Sequence, residues 1–164
     1  MRKVVICVLV LSLSLPFADA GELAVPAAVR PPPFTLHGMD GRPHELAEWR
    51  GKVVILNFWA SWCSPCQTEI RDLVAWQTRY GPSGLQVVGL GMDDEVKLRN
   101  VGRTLGINYP VLLARSPALL ASFGNRTGVV PYSVLISRTG EIVFTRAGVI
   151  DQNLFDAEVL PLLQ

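Results

Sequence analysis

Residues 53–66 read Val53-Val54-Ile55-Leu56-Asn57-Phe58-Trp59-Ala60-Ser61-Trp62-Cys63-Ser64-Pro65-Cys66. From Val53 to Trp59 the run is too apolar for a strand with one wet face, so it belongs at the centre of a sheet covered on both sides. Downstream, Cys66, Ile70, Leu73, Val74 and Gln77 recur at helical spacing until Gly81-Pro82-Ser83-Gly84 stops the helix. The C-x-x-C pair therefore lies where a buried strand hands over to a helix N-terminus. Free backbone N–H groups and the positive end of the helix dipole stabilise a thiolate there, lowering the thiol pKa from its free value of about 8.5. Cys63, at the helix start beside Trp62, is the candidate nucleophile. Cys66, one turn inside, is the candidate resolving thiol that releases substrate from a mixed disulfide. Pro65 costs the helix little, because the N–H it lacks would be unpaired in the first turn.

The count of cysteines supports chemistry over architecture. There are three in the chain, and Cys7 falls in an N-terminal stretch with a basic start at Arg2-Lys3, an apolar run from Val4 to Leu15 and the small-x-small sequence Ala18-Asp19-Ala20. Residues 1–20 thus read as a signal peptide cleaved after Ala20, the apolar run being short for a retained membrane tether. Export places the rest outside the cytoplasm, in the periplasm or cell envelope, where disulfides persist. Cys7 leaves with the signal and lacks the small residues that precede a lipid-attachment cysteine. Cys63 and Cys66 then have only each other. A bridge across two intervening residues closes a tiny loop and stabilises little, so the pair is a redox disulfide and not a structural staple.

Composition narrows the class further. With 49% apolar residues, 18% charged and a net charge of +1, the chain reads as one globular domain. Removing Arg2, Lys3 and Asp19 from the 15 basic and 14 acidic side chains leaves no net charge. No apolar run reaches the roughly 18 residues of a spanning helix and no basic block resembles a nucleic-acid footprint, which argues against integral transporters and DNA readers. Residues 21–33, rich in Ala, Val and Pro and ending Pro31-Pro32-Pro33, form an extended lead-in; the domain spans 34–164.

Within it, Phe34 to Leu36 and Pro43 to Leu46 flank an Asp-Gly hairpin turn, and Leu85 to Gly91 is a second buried strand. Asp93-Asp94-Glu95 opens a helix with acids in its first turn, more naturally a helix start than a metal site, and Leu98, Val101 and Leu105 form its apolar face. Tyr109 to Ala114 reads as a strand, Ser116-Pro117 as the start of a short helix to Phe123. Val130 to Ser137 and Glu141 to Ala147 form a second hairpin, and Asp151 caps a helix to about Leu163. There are no internal repeats. Alternation of this kind gives an α/β fold, a central mixed sheet flanked by helices with an N-terminal β-hairpin.

Over about Pro33 to Gln164 the sequence resembles the thioredoxin-like, TlpA/ResA-type thiol-disulfide oxidoreductases of the bacterial cell envelope. NFWASWCSPC carries the resemblance most specifically, with Val129-Val130-Pro131-Tyr132-Ser133 and its following hairpin in support. The resemblance implies a thioredoxin-like fold with a helix-strand insertion over Asp93 to Ala114. It also implies a cis-proline at Pro131 opposite the dithiol, with Val130 offering backbone groups to an extended substrate, and a glutamate three residues after the second cysteine. That glutamate, Glu69, shares a helix face with Cys66 and could relay its proton; the other reading is an exposed helix acid near Arg71 and Asp72. Three departures stand out. Asn57 replaces the buried aspartate of thioredoxin, Ile70-Arg71 lack the proline common after the glutamate, and Tyr132 replaces a threonine beside the substrate groove.

The expected activity is protein-disulfide reduction in the cell envelope, with no cofactor. Implied partners are protein disulfides, apocytochrome c foremost, and a membrane electron donor. Trp62 adds apolar docking surface, while Phe58 and Trp59 read as core packing. The rival enzyme is an oxidase that introduces disulfides. A non-enzymatic rival is a copper or zinc carrier adding His37 and His44 to the two thiolates, which requires a fortuitous strand pairing. Peroxidase chemistry wants a single peroxide-activating cysteine, and this motif is a dithiol.

Overall fold

The computed structural model describes residues 29–164; the expected signal peptide at 1–20 with Cys7, and residues 21–28 of the lead-in, lie outside the described residues. Strands β1 (Thr35–His37) and β2 (Pro43–Glu45) pair antiparallel, with Gly41 at φ +80° in the turn between them. Leu46, expected to end the second strand, instead opens a short 3-10 turn over Leu46–Trp49, where Glu45 and Glu48 form a reciprocal capping box.

The remaining elements are β3 (Val53–Trp59), α1 (Ser64–Tyr80) with a 3-10 turn over Gly81–Ser83, β4 (Leu85–Gly91), α2 (Glu95–Leu105), β5 (Val111–Leu113), α3 (Pro117–Ser122), β6 (Tyr132–Ile136), β7 (Ile142–Ala147) and a C-terminal helical segment beginning with α4 (Gln152–Leu154). The sheet runs β5-β4-β3-β6-β7, with β3 parallel to β4 and antiparallel to β6. This is the thioredoxin-like α/β fold with a mixed central sheet, and every residue of the central strand β3 is buried. Alternate residues of β3 serve two cores. Val53, Ile55 and Trp59 pack with Ile70, Leu73 and Trp76 of α1 and with Phe155; Val54, Leu56 and Phe58 pack with Leu120 and Phe123 at α3. A period of two is present, but hidden in sequence because both faces are apolar.

Several boundaries differ from the sequence reading for local reasons. β5 covers only Val111–Leu113 of the expected 109–114, because Pro110 has no N–H for the ladder, although its carbonyl accepts Gly89 N at 2.9 Å. Likewise β6 begins at Tyr132, after Pro131. Of the acidic run, only Glu95 lies in the first turn of α2; Asp94 is the N-cap, accepting from Val96 N at 2.9 Å, and Asp93 precedes the helix and binds Ser61. Asp151 caps the last segment as expected, accepting from Leu154 N at 2.9 Å. That segment is not a regular helix: after α4 it widens over Phe155–Val159 and tightens over Leu160–Leu163, where Pro161 cannot continue the α ladder. Among the described residues, no helix is long and apolar enough to cross a membrane.

Candidate active site

The end of β3 and the start of α1 bring the two cysteines together. Cys63 is the N-cap of α1, Pro65 sits in the first turn, and Cys63 and Cys66 form a disulfide with their Cα atoms 5.3 Å apart. Cys66 N donates to Cys63 Sγ at 3.2 Å, so one of the orphan N–H groups of the helix end is aimed at that sulfur. Cys66 is fully buried, whereas Cys63 keeps 4% of its surface open; an outside group can reach only Cys63. Beside it Trp62 is 72% exposed, an indole with no core to fill.

The loop carrying these residues is fastened on both sides. Gln67 Nε2 donates to Ser61 O at 2.8 Å, Met92 N to Trp59 O at 2.9 Å, and Ser61 Oγ to the Asp93 carboxylate, whose pKa is held below the usual carboxylate range chiefly by that bond. Facing the dithiol is the segment before β6. The Val130–Pro131 peptide is cis, as the resemblance implied, and Val130 O lies 3.7 Å from Cys63 Sγ. With the disulfide closed no hydrogen joins them; a reduced Cys63 thiol has one to donate.

Asn125, buried, folds this segment. Its Nδ2 donates to Val129 O at 2.7 Å while its Oδ1 accepts from Gly128 N at 3.0 Å, tying the loop to itself just ahead of Val130.

Glu69 is fully buried, which overturns the exposed-acid reading. Its Oε1 accepts from Ile150 N at 2.8 Å and its Oε2 from Asn57 Nδ2 at 2.8 Å; Asn57 Nδ2 also donates to Ser133 Oγ at 2.9 Å. Burial pushes the Glu69 pKa up to about 7 against the pull of the Ile150 and Asn57 hydrogen bonds, and Asp72 adds to the push. A carboxyl so placed gains or loses its proton near neutrality.

Tyr132 does not enter the dithiol side. Its side chain lies on the opposite sheet face, its hydroxyl donates to Phe123 O at 2.9 Å, and its ring packs 6.2 Å from that of Phe58. His44 does not join the cysteines either. Its Nδ1 meets Glu48 at 2.9 Å and its Nε2 meets Asp40 at 3.1 Å, contacts that raise its pKa, Glu48 most strongly. His37 lies in β1. Among the described residues, no group of three His, Cys, Asp or Glu side chains is arranged to hold a metal ion.

In sequence Asn57 stands only as a departure from the buried aspartate of thioredoxin; in the structure its amide binds the Glu69 carboxyl. The signal was available, since one polar residue in a central strand buried on both faces must find partners. The Ile150 N–H and the Asn125 clasp carried no comparable signal.

The AhpC/TSA family model matches residues 28–145 of the chain. The thiol-disulfide oxidoreductase ResA of Bacillus anthracis is 28% identical over 128 residues, spanning 77% of this chain and 72% of the relative. ResA of Bacillus subtilis (strain 168) is 26% identical over 136 residues, 82% and 75% of the two chains. Among solved structures, a thioredoxin family thiol:disulfide interchange protein from Chlorobium tepidum TLS superposes with a TM-score of 0.76 at 32% identity, covering 86% of this chain and 100% of the other.

Proposed function

The chain belongs to the AhpC/TSA family, within the thioredoxin-like fold, and on that premise we propose that it is a cell-envelope protein-disulfide reductase. It is a thiol-disulfide oxidoreductase whose substrates are proteins. Cys63 thiolate attacks a substrate disulfide, forming a mixed disulfide and releasing one substrate thiolate, which takes a proton from solvent. Cys66 gives its proton to Glu69 and attacks Cys63 Sγ, releasing the second substrate thiolate. The protein ends oxidised and the substrate reduced. A dithiol partner in the membrane then returns the two electrons.

Direction rests on one observation. Of the hydrogen bonds to the two sulfurs, the sole donor to Cys63 Sγ is Cys66 N; opposite it is an acceptor, Val130 O, and the nearest buried ionisable group on the helix face is an acid. No Lys, Arg or His donates to either sulfur among the described residues. Thiolate stabilisation is therefore confined to one N–H and the helix end, a balance that favours the disulfide over the thiolate and makes the dithiol a reductant. Trapping Cys63 and Cys66 thiols in dithiothreitol or glutathione buffers should give a midpoint nearer the roughly −270 mV of thioredoxin than the roughly −120 mV of a strong oxidant. A midpoint at the oxidising end would turn the same residues into a disulfide donor.

Substrate docks as an extended segment along Val130 and Pro131, with Trp62 as the apolar contact at its side. Apocytochrome c, with two haem-attachment cysteines to be kept reduced, is the leading substrate, and export by residues 1–20 brings the domain to it. Because Trp62 is exposed and supports no core, Trp62→Ala should leave the melting temperature unchanged. It should raise KM for a protein disulfide about tenfold, the equivalent of ~1.4 kcal/mol of lost apolar contact, and leave reduction of oxidised glutathione alone. Equal losses on both substrates would remove Trp62 from docking.

A further inference from the structure

Asn125 is a buried polar residue whose amide bonds nothing outside its own loop. Its Nδ2 donates to Val129 O at 2.7 Å, and its Oδ1 accepts from Gly128 N at 3.0 Å and from Thr127 Oγ1 at 3.3 Å, partners two to four residues ahead of it. With 3% of its surface exposed, the amide costs about as much to bury as such hydrogen bonds return, so it adds little to the stability of the core. What it fixes is a shape. Gly128 takes φ +71°, a left-handed conformation that a side chain resists, and residues 126–129 wrap around the amide. The base of the loop is closed separately, by Tyr132 Oη donating to Phe123 O at 2.9 Å and Asn125 N donating to Leu120 O at 3.1 Å.

The consequence falls on Val130. Val129 O and Val130 N–H belong to one peptide group, which is planar and trans, because among the described residues only the Val130–Pro131 bond is cis. The two groups therefore point in opposite directions. With Val129 O held inward by Asn125, Val130 N–H is turned away from the loop interior, and among the described residues it donates to no protein acceptor. The carbonyl of the same residue lies 3.7 Å from Cys63 Sγ, so this unpaired donor stands beside the nucleophile. An extended peptide pairs through backbone donors and acceptors of this kind.

We propose that Asn125 is a positioning residue for the substrate backbone: by holding Val129 O it aims the Val130 N–H at the peptide flanking the disulfide that Cys63 attacks. The substrate class this selects is a disulfide in an extended segment with a backbone carbonyl free to accept, such as an unfolded chain. A small disulfide with no peptide backbone gains nothing from it.

The inference rests on substrate docking along Val130, and the test separates it from the direction of electron flow. Asn125→Asp keeps an acceptor for Gly128 N but loses the donor to Val129 O, whereas Asn125→Ala loses both. Losing one aimed hydrogen bond should raise KM for insulin disulfides about five- to tenfold in both variants, with kcat and the rate on dithiobisnitrobenzoate kept. An unchanged KM in both variants overturns the proposal. So does an equal loss on insulin and on dithiobisnitrobenzoate, which a merely structural role for Asn125 produces. The unmodified protein provides a check that needs no variant to fold. An extended peptide with serine in place of cysteine, titrated into the oxidised protein, should move the NMR signal of the Val130 amide. Binding that leaves the Val130 amide where it was, or no binding, overturns the proposal. Movement of that signal in a protein whose redox midpoint proves oxidising supports it and removes only the reductase reading.

Discussion

Cys63→Ser is expected to abolish disulfide exchange, and Cys66→Ser to convert the protein into a trap. The two cysteines are three residues apart, yet the fold gives them different access: Cys63 keeps a strip of surface beside exposed Trp62, while Cys66 has none. A substrate disulfide therefore meets only the first sulfur. A serine hydroxyl there is a far weaker nucleophile that the single Cys66 N–H cannot ionise, so turnover should fall about a thousandfold or more. In Cys66→Ser the attack proceeds, but the group that would release the substrate is gone, and no other cysteine lies among the described residues. Non-reducing electrophoresis and intact mass should show a stable adduct of protein plus substrate, collapsing on addition of dithiothreitol. Measurable turnover in Cys63→Ser, or adduct formation through Cys66 when Cys63 is absent, would reverse the roles assigned to the two sulfurs.

The different roles were readable from residues 53–66, because an apolar strand running into a helix that starts at a cysteine fixes which sulfur is at the cap and which is a turn inside. Element order was readable for the same reason: periodicity and turn residues are local. What escaped was whatever depends on who lies across the sheet. Asn57 looked like a missing aspartate until β6 and α1 supplied Ser133 and Glu69 as its partners. Tyr132 sits beside Pro131 in sequence, but strand alternation turns it to the face away from the dithiol, where Phe123 O receives its hydroxyl. The burial of Glu69 was undecidable from its helix alone, because Arg71 and Asp72 flank it; the link before α4 seals it by donating the Ile150 N–H. Pro110 and Pro161 were visible throughout, and their missing N–H groups account for the shortened β5 and the irregular last helix.

Burial of Glu69 also makes the protein's stability depend on pH in a direction opposite to that of an ordinary salt-bridged acid. Burial raises its pKa from the 4.5 of an ordinary glutamate to about 7 in the folded protein, so between those values the folded state binds the extra proton. Stability contributed by that proton is complete below about pH 4.5 and lost as pH rises through about 7, in all about 3 kcal/mol, after which it is flat. His44 slopes the same way, since its raised pKa favours the folded protein at low pH and that advantage disappears as pH rises through the folded value. Glu69→Gln separates them, because the variant keeps His44 and an oxygen for Ile150 N but has nothing to titrate at 69. Urea unfolding of both proteins with the disulfide closed, when neither cysteine titrates, should show the variant gaining on the unmodified protein by about 3 kcal/mol between pH 4.5 and 7.5. Parallel stability curves would mean that Glu69 is ionised in the folded state across the range, and a carboxylate that never holds the proton cannot pass it to or from Cys66.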